Sequence, residues 1–244
     1  AGQFWPSYHM VKRLLGASFP FFISTLLLGV PLYLDRVLIG QFLELEDVAI
    51  FAVTLQLLSI PQMLVASYIG GASPRLIPRL SRLSEQGTDL EAVKTLAIAV
   101  GAGVVMYIGA ALIAPFIMPI IFGGSFYAPP YFFILVGIGA IFNIPASLRW
   151  EYLMVRGFQS ITVRIAFIHI FVVILMQLYF ISNFGLTGAA IAYGVQYTVF
   201  GLVYTFTFRV FRPFRDTYVQ ALTQGVTLVP LARYVVQRIP KRGV

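Results

Sequence analysis

Hydrophobic positions along the chain fall into six long stretches, separated by short connections that are polar or rich in glycine and proline. The stretches cover residues 14–42, 48–72, 92–114, 129–154, 160–183 and 186–208. Each is near or above the roughly 20 residues that an α-helix needs to cross about 30 Å of hydrocarbon. The pattern therefore predicts an all-α, polytopic membrane protein, with a six-transmembrane-helix bundle over residues 1–212.

Basic residues lie almost entirely at one end of this predicted bundle. With the first residues of the chain on the inside, 16 of the 17 Lys and Arg residues fall on the inner side, and Arg36 falls on the outer side. An excess of Lys and Arg in the inner connections normally sets the orientation of a membrane protein. We therefore expect a multi-pass protein of the cytoplasmic membrane, with the N-terminus of this segment and the C-terminus in the cytoplasm.

Composition agrees with a membrane protein and excludes several other classes. The chain is 59% hydrophobic and only 11% charged, which a soluble globular domain of this length does not sustain. Its net charge of +8 lies in short loops beside helix ends, where anionic membrane lipid is a nearer partner than nucleic acid. The chain has no cysteine, so disulfides and thiolate metal sites are excluded.

The sequence carries no motif of an enzyme. His9 and His169 are separated by several predicted spans, and no carboxylate pair stands at close helical spacing within a span. A phosphate-cradling glycine loop, a metal-binding histidine pattern and a nucleophile elbow are also missing from the sequence. We therefore predict that the protein is not an enzyme, and that it has no catalytic residue, no metal site and no cofactor.

Three arginines stand out near the predicted inner boundary. Arg149 and Arg156 are one heptad apart near the end of the fourth stretch, and Arg164 begins the fifth stretch from the same side. Arginine matches the oxygens of a phosphate in a bidentate way, so this group is a candidate phosphate-binding site. Anchoring by the positive-inside rule explains the same three residues equally well.

Other titratable residues fall deeper or at the opposite boundary. Asp35 is 21 residues into the first stretch, about 32 Å along a helix, which predicts an interfacial Asp35–Arg36 pair at the outer boundary. His169 lies nine residues into the fifth stretch. Ionisable groups in a membrane often serve in coupling or gating, so all three are candidates for that role. A simple ion pair and a hydrogen-bonded bundle histidine are the alternatives.

Uncharged polar and aromatic residues also lie within the stretches. Gln56 and Asn143 are able to hydrogen-bond the hydroxyls of a sugar, although holding neighbouring helices together is the ordinary role of such residues. Tyr193 and Tyr197 are four residues apart on one face of the sixth stretch, where they would either stack on a sugar ring or pack in the bundle. These four residues complete the candidate substrate-binding set.

The connection between the second and third stretches and the end of the chain have their own patterns. In residues 73–87, leucines at helical spacing alternate with arginines, which predicts an amphipathic helix on the inner membrane surface. Thr88 followed by Glu91 predicts a capping box that opens the third span. Residues 213–244 are interrupted by glycine and proline and end in basic residues, so we predict a cytoplasmic tail that includes a surface-lying helix.

Five phrases of the sequence occur in an order that is typical of a known group of transporters. They are LDRVLIG at 34–40, EDVAIFAVTLQLL at 46–58, SPRLIPRLSRL at 73–83, IFGGSFYAPP at 121–130 and GLTGAAIAYG at 185–194. Through them residues 1–212 resemble the C-terminal half of the oligosaccharide (polysaccharide-biosynthesis) flippases. Those proteins form part of the MOP superfamily, together with the lipid II flippases and the multidrug MATE exporters.

This resemblance implies a fold and a function. The chain would be one lobe of a V-shaped, two-lobe transporter, preceded by a homologous N-terminal lobe, and would flip a polyprenyl-diphosphate-linked oligosaccharide by alternating access. Polymerase and glycosyltransferase machinery for surface polysaccharide would be its partners. Two alternatives remain open: a cation-coupled exporter of small amphipathic molecules, and a non-transport scaffold of an envelope polysaccharide complex.

Overall fold

The computed structural model describes residues 7–82, 88–123 and 129–238, and the regular secondary structure in these ranges is helical. The helices are α1 (Tyr8–Gly29), α2 (Pro31–Phe42), α3 (Leu45–Arg82), α4 (Leu90–Phe122), α5 (Pro130–Asn143), α6 (Arg149–Val155), α7 (Gln159–Thr198), α8 (Tyr204–Thr207), α9 (Arg212–Val226) and α10 (Val229–Arg238).

Five helical segments are long and apolar enough to cross a membrane. They are Tyr8–Leu27, Leu45–Leu80, Leu90–Phe122, Pro130–Leu153 and Ser160–Thr207. The prediction of an all-α, polytopic membrane protein is therefore confirmed. The number of crossings depends on the last segment, which at 48 residues is about 72 Å long if straight, more than twice the thickness of the hydrocarbon.

This long segment folds back on itself at Gly185. The glycine has φ 57° and ψ −137°, a conformation that is essentially restricted to glycine. The imidazole of His169 and the ring of Phe200, on opposite sides of Gly185, lie with their centroids 4.7 Å apart. Residues 159–184 and 186–207 therefore form a hairpin, and its turn falls where the sequence separates the fifth and sixth stretches.

Two other helix breaks occur at prolines that the sequence contains within its hydrophobic stretches. The first stretch is divided between α1 and α2 at Val30, directly before Pro31. The fourth stretch is divided at Asn143, where a 3₁₀ turn (Ile144–Ala146) containing Pro145 separates α5 from α6. A proline lacks the N–H of a helical hydrogen bond, so nearby carbonyls need other partners at these breaks.

The connection between the second and third spans differs from its prediction in two details. Residues up to Arg82 continue α3 instead of forming a separate surface helix, with Leu76 and Leu80 buried and Arg79 exposed. Residues 83–87 lie outside the described residues. The N-cap of α4 is Asp89, whose carboxylate accepts hydrogen bonds from the backbone N–H groups of Glu91 and Ala92 at 2.9 and 3.0 Å. The capping box predicted at Thr88 is therefore wrong by one residue.

The core of the bundle has two hydrophobic clusters, one towards each end. One cluster surrounds the C-terminal half of α3 and the N-terminal half of α4, and contains Leu76, Leu96 and Tyr152. The other surrounds the C-terminal half of α4 and the start of α5, and contains Met118 and Phe133. The first cluster lies at the end of the bundle that the sequence predicts to be the inner one.

The helices that follow the bundle in sequence pack onto it. Helix α9 lies against α4 so closely that a Cβ atom added at Gly225 would collide with Val100. The Tyr218 hydroxyl donates a hydrogen bond to the Phe142 carbonyl at 2.8 Å, next to the break after α5. Burial raises the pKa of Tyr218, so its phenol keeps the proton that this bond requires. The cytoplasmic location of residues 213–244 stays a prediction.

Candidate functional site

One side of the middle of α3 carries several polar residues, together with exposed Met63, and is open to its surroundings. Gln56, Gln62 and Ser67 are exposed on it, and Ser59 and Ser73 lie beside them, half-buried. Polar side chains on the lipid-facing surface of a membrane helix are costly, so such a face normally lines a water-filled space or meets another protein. We call this surface the polar face of α3.

A small polar cavity of about 90 Å³ opens in the middle of this face. It lies between α3, α4, the break after α5 and the part of the hairpin formed by residues 186–207. The polar residues that line it are Gln62, Tyr107, Asn143, Ser147 and Tyr197. This volume holds about three water molecules, so the cavity is a polar notch in a wall and is too small to enclose a sugar.

Hydrogen bonding within the notch leaves an acceptor free. The Tyr197 hydroxyl donates to Oε1 of Gln62 at 3.4 Å, and the hydroxyls of Tyr193 and Tyr197 are also 3.4 Å apart. Oδ1 of Asn143 is buried and has no hydrogen-bond partner among residues 7–82, 88–123 and 129–238. An unpaired buried acceptor costs free energy unless water or a ligand satisfies it, so the notch can accept a hydroxyl group.

The break after α5 explains why these groups converge. Asn143 is the last residue of α5, and Ser147 follows the 3₁₀ turn with its side chain exposed. The change of direction at Pro145 turns both side chains towards α3. Tyr107 and Ser147 were not among the candidates from the sequence. The sequence could have indicated Ser147 as a candidate, because it stands two residues after an intrahelical proline. Nothing in the sequence pattern indicates Tyr107.

Asp35 is buried between helices, whereas the sequence predicted an interfacial ion pair with Arg36. Its side chain is 1% exposed, and α2 continues for seven residues beyond it. Oδ1 accepts a hydrogen bond from the Arg36 backbone N–H at 2.7 Å, while Oδ2 has no partner. The Arg36 guanidinium instead lies 5.8 Å from the ring centroid of Tyr33, so the expected interfacial ion pair does not form.

The carboxylate of Asp35 is close enough to the notch to interact electrostatically with the hydroxyls of Tyr193 and Tyr197. Tyr193 also packs edge to face on Phe51 of α3, with ring centroids 6.2 Å apart. Hydrogen bonds therefore link Tyr193, Tyr197 and Gln62, and the buried carboxylate of Asp35 lies near these tyrosines without a hydrogen bond to them.

Arg149 is not available to a ligand in this structure. Its guanidinium is 2% exposed and is held between the two broken helices. It donates to the Ala146 carbonyl at 3.1 Å, to the Thr205 hydroxyl at 3.0 Å and to the carbonyls of Phe200 and Gly201. Those last two carbonyls belong to a π-helical turn, Val199–Val203, where the regular hydrogen bonds of the helix are displaced.

The other two arginines of the predicted phosphate site lie on the surface. Arg156 follows α6, with its guanidinium 5.7 Å from the ring centroid of Tyr152, and Arg164 is exposed in the first turns of α7. The structure does not combine them with Arg149 into one cluster, because Arg149 points into the hairpin. Arg156 and Arg164 remain candidates for an anion that approaches from the inner side.

The remaining candidates are divided between the interior and the open face. His169 is 5% exposed and packs between Phe200 and Tyr204 in the hairpin, away from the notch residues. Its Nδ1 has no hydrogen-bond partner. Gln56 lies on the polar face of α3, two turns from Gln62 towards the outer end. The described residues contain no group of three or more His, Cys, Asp and Glu residues that could hold a metal ion.

Comparison with known proteins adds one finding. Residues 1–84 match the family model for polysaccharide biosynthesis proteins. The match covers α1, α2 and α3, including the polar face and three of the five sequence phrases, and confirms the resemblance over this part of the chain. It favours a flippase-like role in polysaccharide assembly. No curated protein and no solved structure matches the chain.

Proposed function

We propose that this chain is one lobe of a membrane transporter that flips a polyprenyl-diphosphate-linked oligosaccharide from the inner to the outer leaflet of the cytoplasmic membrane. One observation carries the proposal: the polar face of α3 is open to its surroundings and has a notch with a buried amide oxygen that has no partner among the described residues. Such a face lines a water-filled space or meets another protein, and a polar cargo requires the water-filled space. The family match over α1 to α3 supports the same function.

Different residues bind different parts of the cargo. Asn143, Gln62 and Tyr197 of the notch exchange hydrogen bonds with sugar hydroxyls, and Gln56 extends this path along α3 towards the outside. Exposed Arg156 and Arg164 meet the diphosphate at the inner entrance, since guanidinium groups bind phosphate oxygens strongly. The polyprenyl chain stays in the bilayer, beside the apolar surfaces of the bundle.

Rocking of this lobe against a second, homologous lobe would open the polar face first to the cytoplasm and then to the outside. The polar face of α3 would then be one wall of the central cleft between the lobes. Sugar polymerase and glycosyltransferase enzymes of the same surface polysaccharide would supply the cargo and use it after transfer.

Substitution of Asn143 tests this function. In Asn143→Leu the side chain keeps its approximate size and loses its hydrogen-bonding groups, so we expect surface polysaccharide to fall by about three- to tenfold, the effect of one lost hydrogen bond. Asn183→Leu is the matched control, because Asn183 is an exposed amide near the hairpin turn, away from the notch. Unchanged export in Asn143→Leu, with equal protein in the membrane, would contradict the proposal.

A second candidate function, cation-coupled export of small amphipathic molecules, is favoured by the position of Asp35. A buried carboxylate oxygen without a partner is the type of group that a coupling cation would neutralise. If this candidate is right, Asp35→Asn abolishes uptake that is driven by an imposed ion gradient in proteoliposomes and preserves substrate binding. If the flippase proposal alone is right, transfer of the lipid-linked sugar continues in that variant.

A further inference from the structure

A second cavity lies at the predicted inner end of the bundle, separate from the polar notch. Its volume is about 740 Å³, and it lies between the C-terminal half of α3, the first turns of α4 and helix α10. Pockets of roughly 300–1,000 Å³ are typical of small-molecule sites. The polar residues of the proposed site are Arg75 and Ser67 of α3, Lys94 and Thr95 of α4, and Tyr68 and Tyr234.

The charges that line this cavity are not balanced. Among the described lining residues Glu91 is the one acidic residue, and its carboxylate forms a salt bridge with Arg79 outside the lining. No ion pair of Arg75 or Lys94 occurs within residues 7–82, 88–123 and 129–238. Within these ranges two cations therefore face the cavity while the carboxylate of Glu91 is already paired, so the described lining attracts anions.

The C-terminal segment contributes to this site. The ring of Tyr234 in α10 packs edge to face on Tyr68 of α3, with centroids 6.2 Å apart, and closes one side of the cavity. A neighbouring cavity of about 610 Å³ shares Lys94 and brings Arg233 of α10 to the other side of that lysine. Helix α10 thus contributes the aromatic side chain of Tyr234 to the inner cavity, and Arg233 to the neighbouring cavity that Lys94 also lines.

We propose that this inner cavity binds the phosphate of an anionic phospholipid headgroup. The Lys and Arg side chains would pair with the phosphate, and the hydroxyls of Ser67 and Thr95 would donate hydrogen bonds to its oxygens. By the positive-inside rule, this end of the bundle lies at the cytoplasmic leaflet, where anionic lipids concentrate. The site serves a resident lipid and does not depend on the identity of the transported cargo.

Native mass spectrometry of the purified protein tests the site with phosphatidylglycerol, and phosphatidylcholine is the zwitterionic comparison. We expect phosphatidylglycerol to be retained preferentially, and Arg75→Gln/Lys94→Gln to weaken its binding by about tenfold or more. Arg209→Gln/Arg212→Gln is the matched control, since it removes the same charge from two exposed arginines elsewhere on the predicted inner side. Lys94→Arg should retain the lipid, because it preserves the charge.

Two further outcomes decide the source of the phosphate and the validity of the site. If inorganic diphosphate binds with similar affinity in calorimetry and loses binding in the same double variant, the cavity is a general phosphate site, and the assignment to phospholipid is overturned. If Arg75→Gln/Lys94→Gln and the control pair retain phosphatidylglycerol equally, the cavity is not the lipid site. The melting temperature of each variant shows whether the fold is intact.

Discussion

At the scale of single residues, Arg149 shows how a charge is accommodated in an apolar bundle without a carboxylate partner. Its donors satisfy carbonyls that the 3₁₀ turn after α5 and the π-helical turn leave without their regular partners. Its guanidinium also lies over the rings of Phe200 and Phe211, 5.0 and 5.2 Å from their centroids. One side chain therefore connects two broken helices.

Arg149→Leu should lower the stability of the bundle markedly. It removes the guanidinium donors of the Ala146 and Phe200 carbonyls, while the Gly201 carbonyl keeps the Thr205 hydroxyl as a donor, and each buried group left unsatisfied costs about 1–3 kcal/mol. Arg149→Lys should recover only part of this loss, because an ammonium group cannot reproduce the planar fork of the guanidinium. Thermal unfolding in detergent measures the effect, with Arg209→Gln as an exposed arginine control. A melting temperature of Arg149→Leu equal to that of the unmodified chain would contradict this role.

The sequence singled out Arg149, Arg156 and Asp35 as candidates but did not predict their surroundings. Arg149 and Arg156 share a heptad face in a continuous helix, but α6 ends at Val155, so Arg149 at its start is buried and Arg156 after its end is exposed. Helices α1 and α2 together are longer than one straight crossing, so counting residues along them does not give the depth of Asp35. Distance along a helix gives depth only where the helix is straight and perpendicular to the membrane.

At the scale of elements, the sequence offers candidate positions for helix breaks but does not decide between them. Gly185, Pro145 and Pro31 mark breaks in the structure, whereas α1, α3 and α4 continue through Pro20, Pro61 and Pro115. The packing of α9 on α4 depends on Gly225 meeting Val100, a contact between residues 125 positions apart that no local pattern indicates. The N-cap of α4 was displaced by one residue because Thr88 and Asp89 are both good capping residues.

The hairpin turn gives a sharp test at this scale. Gly185→Ala adds a Cβ to a backbone conformation that only glycine adopts readily, so we expect a cost of about 1–3 kcal/mol and less folded protein in the membrane. Gly109→Ala is the matched control, because a Cβ at Gly109 in α4 meets nothing within 4 Å and alanine is the better helix former. Equal stability of the two variants would show that the chain does not turn at Gly185 as described.

At the scale of the whole molecule, the bundle has a polar face whose occupant decides its function. A transporter lobe keeps water and cargo against α3, whereas a membrane scaffold covers the same surface with apolar packing. The polar notch at Asn143, the unpaired carboxylate oxygen of Asp35 and the open side of α3 all favour the transporter. The inner basic cavity closed by α10 would anchor this lobe to the lipid of one leaflet while the polar face is exposed alternately to either side.

The most direct test is the accessibility of the polar face to a charged, membrane-impermeant thiol reagent. The chain contains no cysteine, so single substitutions report without background. We predict that Ser147→Cys, beside the notch, reacts readily, and that Ile113→Cys, on an apolar surface of α4, does not. If Ser147→Cys is as unreactive as Ile113→Cys from both sides of the membrane, the face is not hydrated and the account of this chain as a transporter lobe is wrong.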